Sequence, residues 1–264
     1  MELRLAGKRT LVAAASRGLG RAIALRLAEE GAKLAICARN AERLEQAADE
    51  IGQQTGAEVL AVPTDLTEYE QIKRLINTVN EELGGIDILV ANAGGPPPGS
   101  FLEMSDGQWQ EACQLTLLSA VRLVREAIPG MIAQRWGRVI FSTSVSVKQP
   151  IENLVLSNSL RLAVIGLAKT LANELAQYNI TVNSVCPGAT ATERLRELIE
   201  HQAERAGLSY EEAEQRLWLR EIPMGRLGEP EELADLVAFL ASERASYITG
   251  TAIQADGGSV RFPL

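Results

Sequence analysis

The segment Arg9–Arg21 reads RTLVAAASRGLGR, and it decides the fold. Its first half is a continuous apolar run, which is typical of a strand that is buried on both faces. Its second half places Gly18 and Gly20 just before Gly20–Glu30, a segment with a helical pattern. Glycines at such a turn let the backbone approach a pyrophosphate, which then lies on the free N–H groups of the helix. A lone Gly-x-Gly also occurs in ordinary tight turns, but its position directly after a strand favours the phosphate interpretation.

Short apolar runs alternate with amphipathic segments along the rest of the chain. The runs predict seven strands: Arg9–Ala15, Ala32–Ala38, Ala57–Pro63, Asp87–Asn92, Gly137–Thr143, Ile180–Cys186 and Thr251–Asp256. Helical patterns such as Leu162–Gln177 lie between them. This alternation predicts a mostly parallel sheet with helices on both faces. We therefore expect an α/β protein with a doubly wound, seven-stranded Rossmann fold, in a single domain over residues 1–264.

One charged, helix-prone segment, Thr192–Glu221, interrupts the alternation between the sixth and seventh strands. Ligands of open α/β sheets bind beyond the carboxyl ends of the strands. A helical insertion at about 192–222 is therefore well placed to act as a lid over the substrate. A solvated surface excursion is the alternative interpretation.

Composition excludes several classes of protein. The formal net charge of −8, from 26 basic and 34 acidic residues, argues against a nucleic-acid groove. Cys37, Cys113 and Cys186 form no CxxC pair, and the single histidine, His201, has no zinc-ligand spacing around it. We find neither a signal peptide nor about 18–20 uninterrupted apolar residues. We expect a cytoplasmic protein without a metal, a nucleic-acid partner or a membrane span.

Further sequence motifs follow the ends of the third, fourth and sixth predicted strands. The turn Ala13–Gly20, Asp65 after the third strand, Ala91–Gly94 after the fourth and Pro187–Thr192 after the sixth resemble the motifs of the short-chain dehydrogenase/reductase family. The likeness runs from about Leu5 to Gly258, and it is greatest to the 3-oxoacyl-[acyl-carrier-protein] reductase-like branch. It implies that a dinucleotide is bound by Ala14, Ser16, Arg17, Gly18, Leu19, Gly20, Asp65, Leu66, Asn92, Ala93, Gly94, Pro187, Gly188 and Thr192.

The catalytic positions of that family are altered here. The resemblance places its Asn-Ser-Tyr-Lys tetrad at Thr116, Ser144, Ser157 and Arg161, so that only the serine is retained. The tyrosine hydroxyl is the proton donor in the family. A serine hydroxyl is a weaker acid, and the serine side chain is shorter by an aromatic ring. Arg161 keeps a positive charge one helical turn from Ser157, but it does not deprotonate, so it stabilises charge rather than relaying protons.

The glycine turn departs from the family as well. Ala13 and Ala14 stand where the family motif has threonine and its first glycine. A methyl group at Ala14 is tolerated only if the residue keeps a negative φ, and we expect a looser cofactor site otherwise.

Three functional interpretations follow. The protein is a reductase that transfers hydride from NADPH to a carbonyl, 3-oxoacyl-like, with a bound water, Ser144 and Arg161 in place of the tyrosine. Alternatively, it is a catalytically silent, NADP-binding sensor or scaffold. In the third interpretation another residue, Lys148 or Glu152, supplies the proton.

Charge at the end of the second strand favours NADP over NAD. An acidic residue there binds the ribose 2′-hydroxyl of NAD, whereas arginine suits the 2′-phosphate of NADP. The strand ends at Arg39 without a carboxylate, and Arg17 adds a second positive charge. The alternative is that Arg39 pairs with Glu42. Resemblance also implies a homodimer or homotetramer that acts on a small carbonyl or alcohol substrate.

Overall fold

Seven strands form one sheet in the computed structural model, which describes residues 2–262. They are β1 (Arg9–Ala13), β2 (Lys33–Ala38), β3 (Val59–Pro63), β4 (Ile88–Ala91), β5 (Gly137–Ser142), β6 (Ile180–Pro187) and β7 (Ala252–Ala255). Their order is β3-β2-β1-β4-β5-β6-β7, and every neighbouring pair is parallel. The predicted Rossmann-type sheet is thus confirmed, and it is wholly rather than mostly parallel. Most predicted strands exceed the observed ones by one or two residues at an end, as at Ala14 and Ala15 after β1, where the apolar run continues past the sheet pairing.

The helices cover both faces of the sheet. They are α1 (Gly18–Glu29), α2 (Ala41–Thr55), α3 (Tyr69–Leu83), α4 (Asp106–Cys113), α5 (Ser119–Gln134), α6 (Val155–Leu175), α7 (Glu193–Ala206), α8 (Tyr210–Ala213) and α9 (Pro230–Ala241). Local chemistry sets their ends. The Asn40 side chain caps α2 by accepting a hydrogen bond from the Arg43 N–H (2.8 Å), and the helix stops at Gly56, whose φ is 74°. The observed α1 and α6 begin earlier than the sequence pattern indicated.

Alternate strand residues supply two separate cores. Val12, Ile36 and Val90 are fully buried on the face covered by α1, α2 and α9. Leu11 and Leu89 are fully buried on the opposite face, under α3, α5 and α6. Because successive side chains of a strand point to opposite faces, strands covered on both sides must be apolar throughout.

Helix α6 carries apolar residues on both its inner and outer sides. Val164 and Ala168 on the inner side join the core below the sheet, whereas Leu162 on the outer side is 53% exposed. By length and mean hydropathy, Val155–Tyr178 would be able to cross a membrane, which the count of uninterrupted apolar residues did not indicate. A helix in a protein core can be equally long and apolar. The inner side of α6 packs on the sheet, so α6 is such a core helix.

The strand order reverses at β1, which lies between β2 and β4. Loops that follow β1 and β4 therefore run to opposite sides and leave a crevice beyond the carboxyl ends of the strands. The chain after β6 continues into α7, whose first turn is capped by Thr192 accepting from the Leu195 N–H (3.2 Å). α7 ends at Gly207, and α8 and irregular helical turns continue to Glu221.

Candidate active site

A cavity of about 950 Å³ occupies the crevice beyond the strand ends. Its walls come from the loops after β1 to β6 and from α7 and the helical turns that follow it. The volume lies at the upper end of the range for small-molecule sites, about 300–1,000 Å³. All of the cofactor positions expected from the sequence line it, namely Ala14, Ser16, Arg17, Gly18, Leu19, Gly20, Arg39, Asp65, Leu66, Asn92, Ala93, Gly94, Pro187, Gly188 and Thr192.

The glycine turn is tightly packed against the start of α1. A Cβ placed on Gly20 would lie 2.3 Å from the carbonyl oxygen of Ala14, so no side chain fits there. Gly18 has a φ of 56°, which glycine adopts without strain. Ala14 has a φ of 51°, so the negative φ required for an unstrained alanine is not met. The left-handed conformation is imposed because the chain must reverse here to bring α1 against β1.

Three arginines stand at the end of the cavity near β1 and β2. Arg17 forms ion pairs with Glu193 and Glu197, both in α7. Arg39 is exposed and, within residues 2–262, forms no ion pair, so the alternative pairing with Glu42 is not observed. Arg43, which the sequence analysis missed, lines the same wall. Its spacing of four from Arg39 at the start of a helix was the signal that could have found it.

Polar side chains fix the loops beyond β3 and β4. The Asp65 carboxylate accepts hydrogen bonds from the Thr67 N–H (2.9 Å) and hydroxyl (2.7 Å), which holds the loop after β3 in a turn. The Asn92 amide donates to the carbonyls of Ala13 (3.3 Å) and Ala14 (3.4 Å), and so ties the β4 loop to the glycine turn. Their neighbour Gly94 has open space where a Cβ would stand.

Ser144, Ser157 and Arg161 all line the cavity. The Ser144 oxygen accepts from the Ser146 N–H (3.1 Å), which leaves the Ser144 hydroxyl hydrogen free to donate. The Arg161 guanidinium donates to the carbonyls of Ser142 (3.1 Å) and Thr143 (2.9 Å) at the end of β5. Burial, together with the charge of Arg194, lowers the pKa of Arg161 to about 10, so it stays protonated at neutral pH.

Thr116 lies behind this wall rather than in the main cavity. It belongs to a π-helical turn, Gln114–Leu118, and it lines a small adjoining cavity of about 10 Å³ together with Asn92 and Arg161. The Thr116 hydroxyl is buried without a hydrogen-bond partner in the described part of the chain. The small cavity is at the lower limit of volume for one water molecule.

The segment after β6 contacts the chain that follows β4. Arg194 of α7 donates to the carbonyl of Pro96 (2.9 Å), and Arg205 pairs with Glu103 (3.2 Å). Trp218 lines the cavity and donates from its indole N–H to Gln202 (2.8 Å). His201 is not among the lining residues.

Of the two residues considered as substitute proton donors, Glu152 lines the cavity and Lys148 does not. Glu152 is exposed. Lys148 is therefore the weaker candidate of the two.

The residues present fit a dinucleotide. The turn after β1 offers helix N–H groups, the arginines offer cations for phosphate, and the space at Gly94 admits a ligand close to the backbone. The strain at Ala14 and the pairing of Arg17 with Glu193 and Glu197 oppose this fit.

Comparisons with known proteins agree with this geometry. A family model described as enoyl-(acyl carrier protein) reductase matches residues 13–260. The 3-oxoacyl-[acyl-carrier-protein] reductase of Aquifex aeolicus is 37% identical over 98% of this chain and 99% of its own.

Solved structures of other proteins are also similar to this chain. L-sorbose reductase of Gluconobacter frateurii, complexed with NADPH and L-sorbose, has 34% identity and a TM-score of 0.94 over 99% of this chain and 100% of its own. A 7α-hydroxysteroid dehydrogenase complexed with NADH has 31% identity and a TM-score of 0.88 over 99% of this chain and 97% of its own. The chain therefore belongs to the short-chain dehydrogenase/reductase family of oxidoreductases, and it is similar to the 3-oxoacyl-[acyl-carrier-protein] reductases within it.

Proposed function

We propose that the protein reduces a carbonyl group on a small substrate and that NADPH is its hydride donor. The observation that carries the proposal is that one cavity joins the phosphate turn, three arginines and the group Ser144, Ser157 and Arg161. We also propose that the segment 192–222 acts as the lid of this cavity, since its α7 contacts both the glycine turn and the loop after β4.

The preference for NADPH rests on charge. Arg17, Arg39 and Arg43 line the end of the cavity next to β2, where NAD-binding proteins carry a carboxylate. Arginine is suited to a phosphate because its planar fork donates two parallel hydrogen bonds. An NADPH-bound relative and an NADH-bound relative both have this fold, so the fold alone does not select between the two cofactors. The three arginines are the feature that favours NADPH.

The chemistry of the site follows from its side chains. A dinucleotide held by the turn after β1 and by the arginines would supply hydride for the carbonyl carbon. The Ser144 hydroxyl is free to donate a hydrogen bond to the carbonyl oxygen, and Ser157 leaves the space that a tyrosine ring would fill open to a water. Arg161 stays charged and stabilises the developing negative oxygen. The alkoxide would take its proton from a bound water, which releases hydroxide to the solvent, because Ser157 lacks the phenol of the family tyrosine and Arg161 stays protonated.

The alternative function is a catalytically silent sensor or scaffold that binds NADP. The observation that favours it is that three of the four catalytic positions are altered, with the Thr116 hydroxyl turned into a closed pocket. Loss of a positioned general acid typically costs about 10²–10⁴-fold in rate, which leaves measurable turnover in the reductase and none in the sensor.

Calorimetric titration with NADPH and with NADH, followed by an assay of NADPH consumption with ethyl acetoacetate, tests both functions. A reductase binds NADPH more tightly than NADH and consumes it, and Ser144→Ala lowers its rate without changing cofactor affinity. A sensor binds NADPH and consumes none with any carbonyl tried. If neither nucleotide binds, both proposals fail.

We further propose that the protein is a homo-oligomer that buries the outer side of α6. Leu162 is 53% exposed there, beside the exposed Ala163 and Gly166, so two such helices can pack closely. Sedimentation analysis of Leu162→Glu against the unaltered protein tests this. The variant is expected to sediment as a smaller species.

A further inference from the structure

One part of the cavity lining carries none of the cofactor positions. It comes from the loop after β5 at 145–154, from the lid at 198–222 and from the segment 259–260. Arg261 joins these walls, because its N–H donates to the Gln149 side chain (3.4 Å) and its guanidinium pairs with Glu221 (2.7 Å). We call the space between these three segments the substrate end of the cavity.

Apolar side chains form most of the lining of the substrate end. The larger ones include Ile151, Leu154, Leu198, Trp218, Ile222 and Val260. All of these except Ile222 are only partly buried within the protein. A ligand with an apolar body would cover this surface, and the removal of apolar surface from water would stabilise the complex.

Polar side chains at the substrate end are mostly bonded to other protein groups. Gln202 accepts a hydrogen bond from the Trp218 indole (2.8 Å). Arg205 pairs with Glu103 (3.2 Å), and the bonds of Arg261 occupy two more of these side chains. The exceptions among the described residues lie side by side on one turn, Glu152 and Asn153. A hydroxyl-rich substrate would lose its hydration there and find few partners, which costs free energy.

Apolar side chains are also exposed at the rim of the cavity. Phe101 and Leu102 are 67% and 93% exposed, and they directly precede Glu103, the partner of the lining residue Arg205. Leu217 lines the cavity and is 42% exposed. Neighbouring exposed apolar side chains mark binding sites more often than ordinary surface. The rim is thus suited to the entry of an apolar molecule.

The wall beside the catalytic positions is held in place by Asn158, the residue after Ser157 in α6. The Asn158 amide donates to the Ile151 carbonyl (2.9 Å), and its oxygen accepts from the Ile151 N–H (3.3 Å). Because one side chain bonds both backbone groups of Ile151, the position of this apolar residue is fixed relative to Ser157. The apolar wall is therefore formed before any ligand binds.

We propose that the substrate is an uncharged ketone with an apolar body, and that the substrate end holds this body against Trp218. The indole is fixed by its bond to Gln202 and by its packing on the lid cluster, which consists of Leu195, Ile199, Ala203 and Ala213. Trp218 presents the largest apolar face of the lining and is thus the specificity-determining residue. This inference rests on the proposed reductase function, which assigns the rest of the cavity to a nucleotide, but the binding of an apolar body can be measured without turnover.

Three ketones with one carbon skeleton test the inference: 2-butanone, its phenyl derivative 4-phenyl-2-butanone and its polyhydroxy derivative L-erythrulose. Calorimetry measures their binding to protein saturated with NADP⁺ and to protein without nucleotide. The phenyl ketone is expected to bind at least about tenfold more tightly than the other two, because only its body covers the apolar wall.

Variants of the lining locate this preference. Trp218→Ala and Leu198→Gln should each remove most of it, whereas Trp218→Phe, which keeps an apolar ring and loses only the indole N–H, should retain most of it. Met224→Gln is the matched control for Leu198→Gln, because Met224 is 64% exposed just after the lid and does not line the cavity.

The outcomes separate the apolar site from the reductase. Equal binding of the three ketones, tighter binding of L-erythrulose, or a phenyl preference that survives Leu198→Gln overturns the apolar site. Leu198 is only partly buried, so this variant decides the matter even if Trp218→Ala does not fold. A phenyl preference that is lost in the lining variants, without NADPH consumption, upholds the apolar site and overturns the reductase. Faster reduction of L-erythrulose than of 4-phenyl-2-butanone upholds the reductase and overturns the apolar site.

Discussion

The carbonyl oxygen of Ala14 lies 2.3 Å from the point where a Cβ would stand on Gly20. The start of α1 therefore presses on the turn after β1 as closely as two backbones can approach. Gly20 meets this demand by having no side chain. Ala14 meets it by adopting a φ of 51°, a conformation that an L residue with a Cβ enters only at a cost. The phosphate turn would therefore be free of this backbone strain if glycine stood in place of Ala14.

Replacing Ala14 by glycine should relieve that cost. We expect Ala14→Gly to raise the free energy of unfolding by about 0.5–1 kcal/mol, because the relief of backbone strain outweighs the entropic cost of the extra freedom of glycine in the unfolded chain. Urea unfolding measures this change. Ala133→Gly, in the exposed part of α5, is the matched control and should destabilise by up to about 1 kcal/mol, since that residue is helical. Destabilisation by Ala14→Gly would contradict the strain.

The same region separates what the sequence could predict from what it could not. Gly18 and Gly20 were found because their spacing directly after an apolar strand has one common structural use. The φ of Ala14 was not, because it depends on how closely α1 packs, which is a tertiary property. Arg39 and Arg17 were assigned to one end of the site from strand order. The pairing of Arg17 with α7 joins residues 176 positions apart and has no local signal.

Among the residues at the catalytic positions, too, some features could be predicted from the sequence and others could not. The family resemblance assigned Ser144, Ser157 and Arg161 to catalytic positions, and all three line one cavity. The direction of the Arg161 side chain does not follow from spacing. It is set by the two carbonyls at the end of β5, which satisfy one nitrogen and leave the others free. The resemblance assigned Thr116 to the remaining catalytic position, and the residue lines a small cavity with Arg161. The closed pocket of Thr116 depends on a π-helical turn that no pattern indicated.

Acid should destabilise the protein through Asp87, the residue just before β4. Burial alone would raise the pKa of this carboxyl, but hydrogen bonds from the Arg9 guanidinium and N–H, with the charge of Arg9, hold it below its usual value. A depressed carboxyl pKa stabilises the folded state above the unfolded pKa of about 3.9, and the contribution is lost as pH falls through the lower folded value. Asp87→Asn should therefore cost about 1–3 kcal/mol at pH 7, and less as pH falls below about 4. Denaturant unfolding across pH measures the difference, and a constant difference would refute this account.

The contacts between the glycine turn and α7 should oppose an anionic cofactor. Glu193 and Glu197 hold Arg17, and the pKa of Glu193 is lowered chiefly by its hydrogen bond from Arg17. The double variant Glu193→Gln, Glu197→Gln should release Arg17 and bind NADPH several-fold more tightly at low salt, with a smaller gain at high salt because exposed charges are screened. Calorimetry at two ionic strengths measures this. Glu200→Gln, exposed on the same helix and outside the cavity, should change nothing.

Restoring the family residues should raise activity. The double variant Ser157→Tyr, Arg161→Lys supplies a phenol acid and a lysine one helical turn away, on the face of α6 that lines the cavity. We expect reduction of ethyl acetoacetate to rise by about 10²-fold or more, within the range for a positioned general acid. Ser159→Tyr, on the exposed side of α6, controls for the added ring. An unchanged rate with NADPH still bound would mean that the altered tetrad does not limit the reaction.

Cofactor choice should depend on the two arginines that begin the α2 region. Arg39 is exposed and forms no ion pair within the described residues, and Arg43 lies one helical turn further on the same cavity wall. The double variant Arg39→Gln, Arg43→Gln should weaken NADPH binding by about tenfold or more, because each arginine would lose a charge-assisted bond to the 2′-phosphate. NADH affinity should change little, since NADH lacks that phosphate. Arg21→Gln is the matched control, because Arg21 pairs with Glu50 and does not line the cavity. Equal losses for both nucleotides would assign these arginines a general electrostatic effect, and the preference for NADPH would then lose its physical basis.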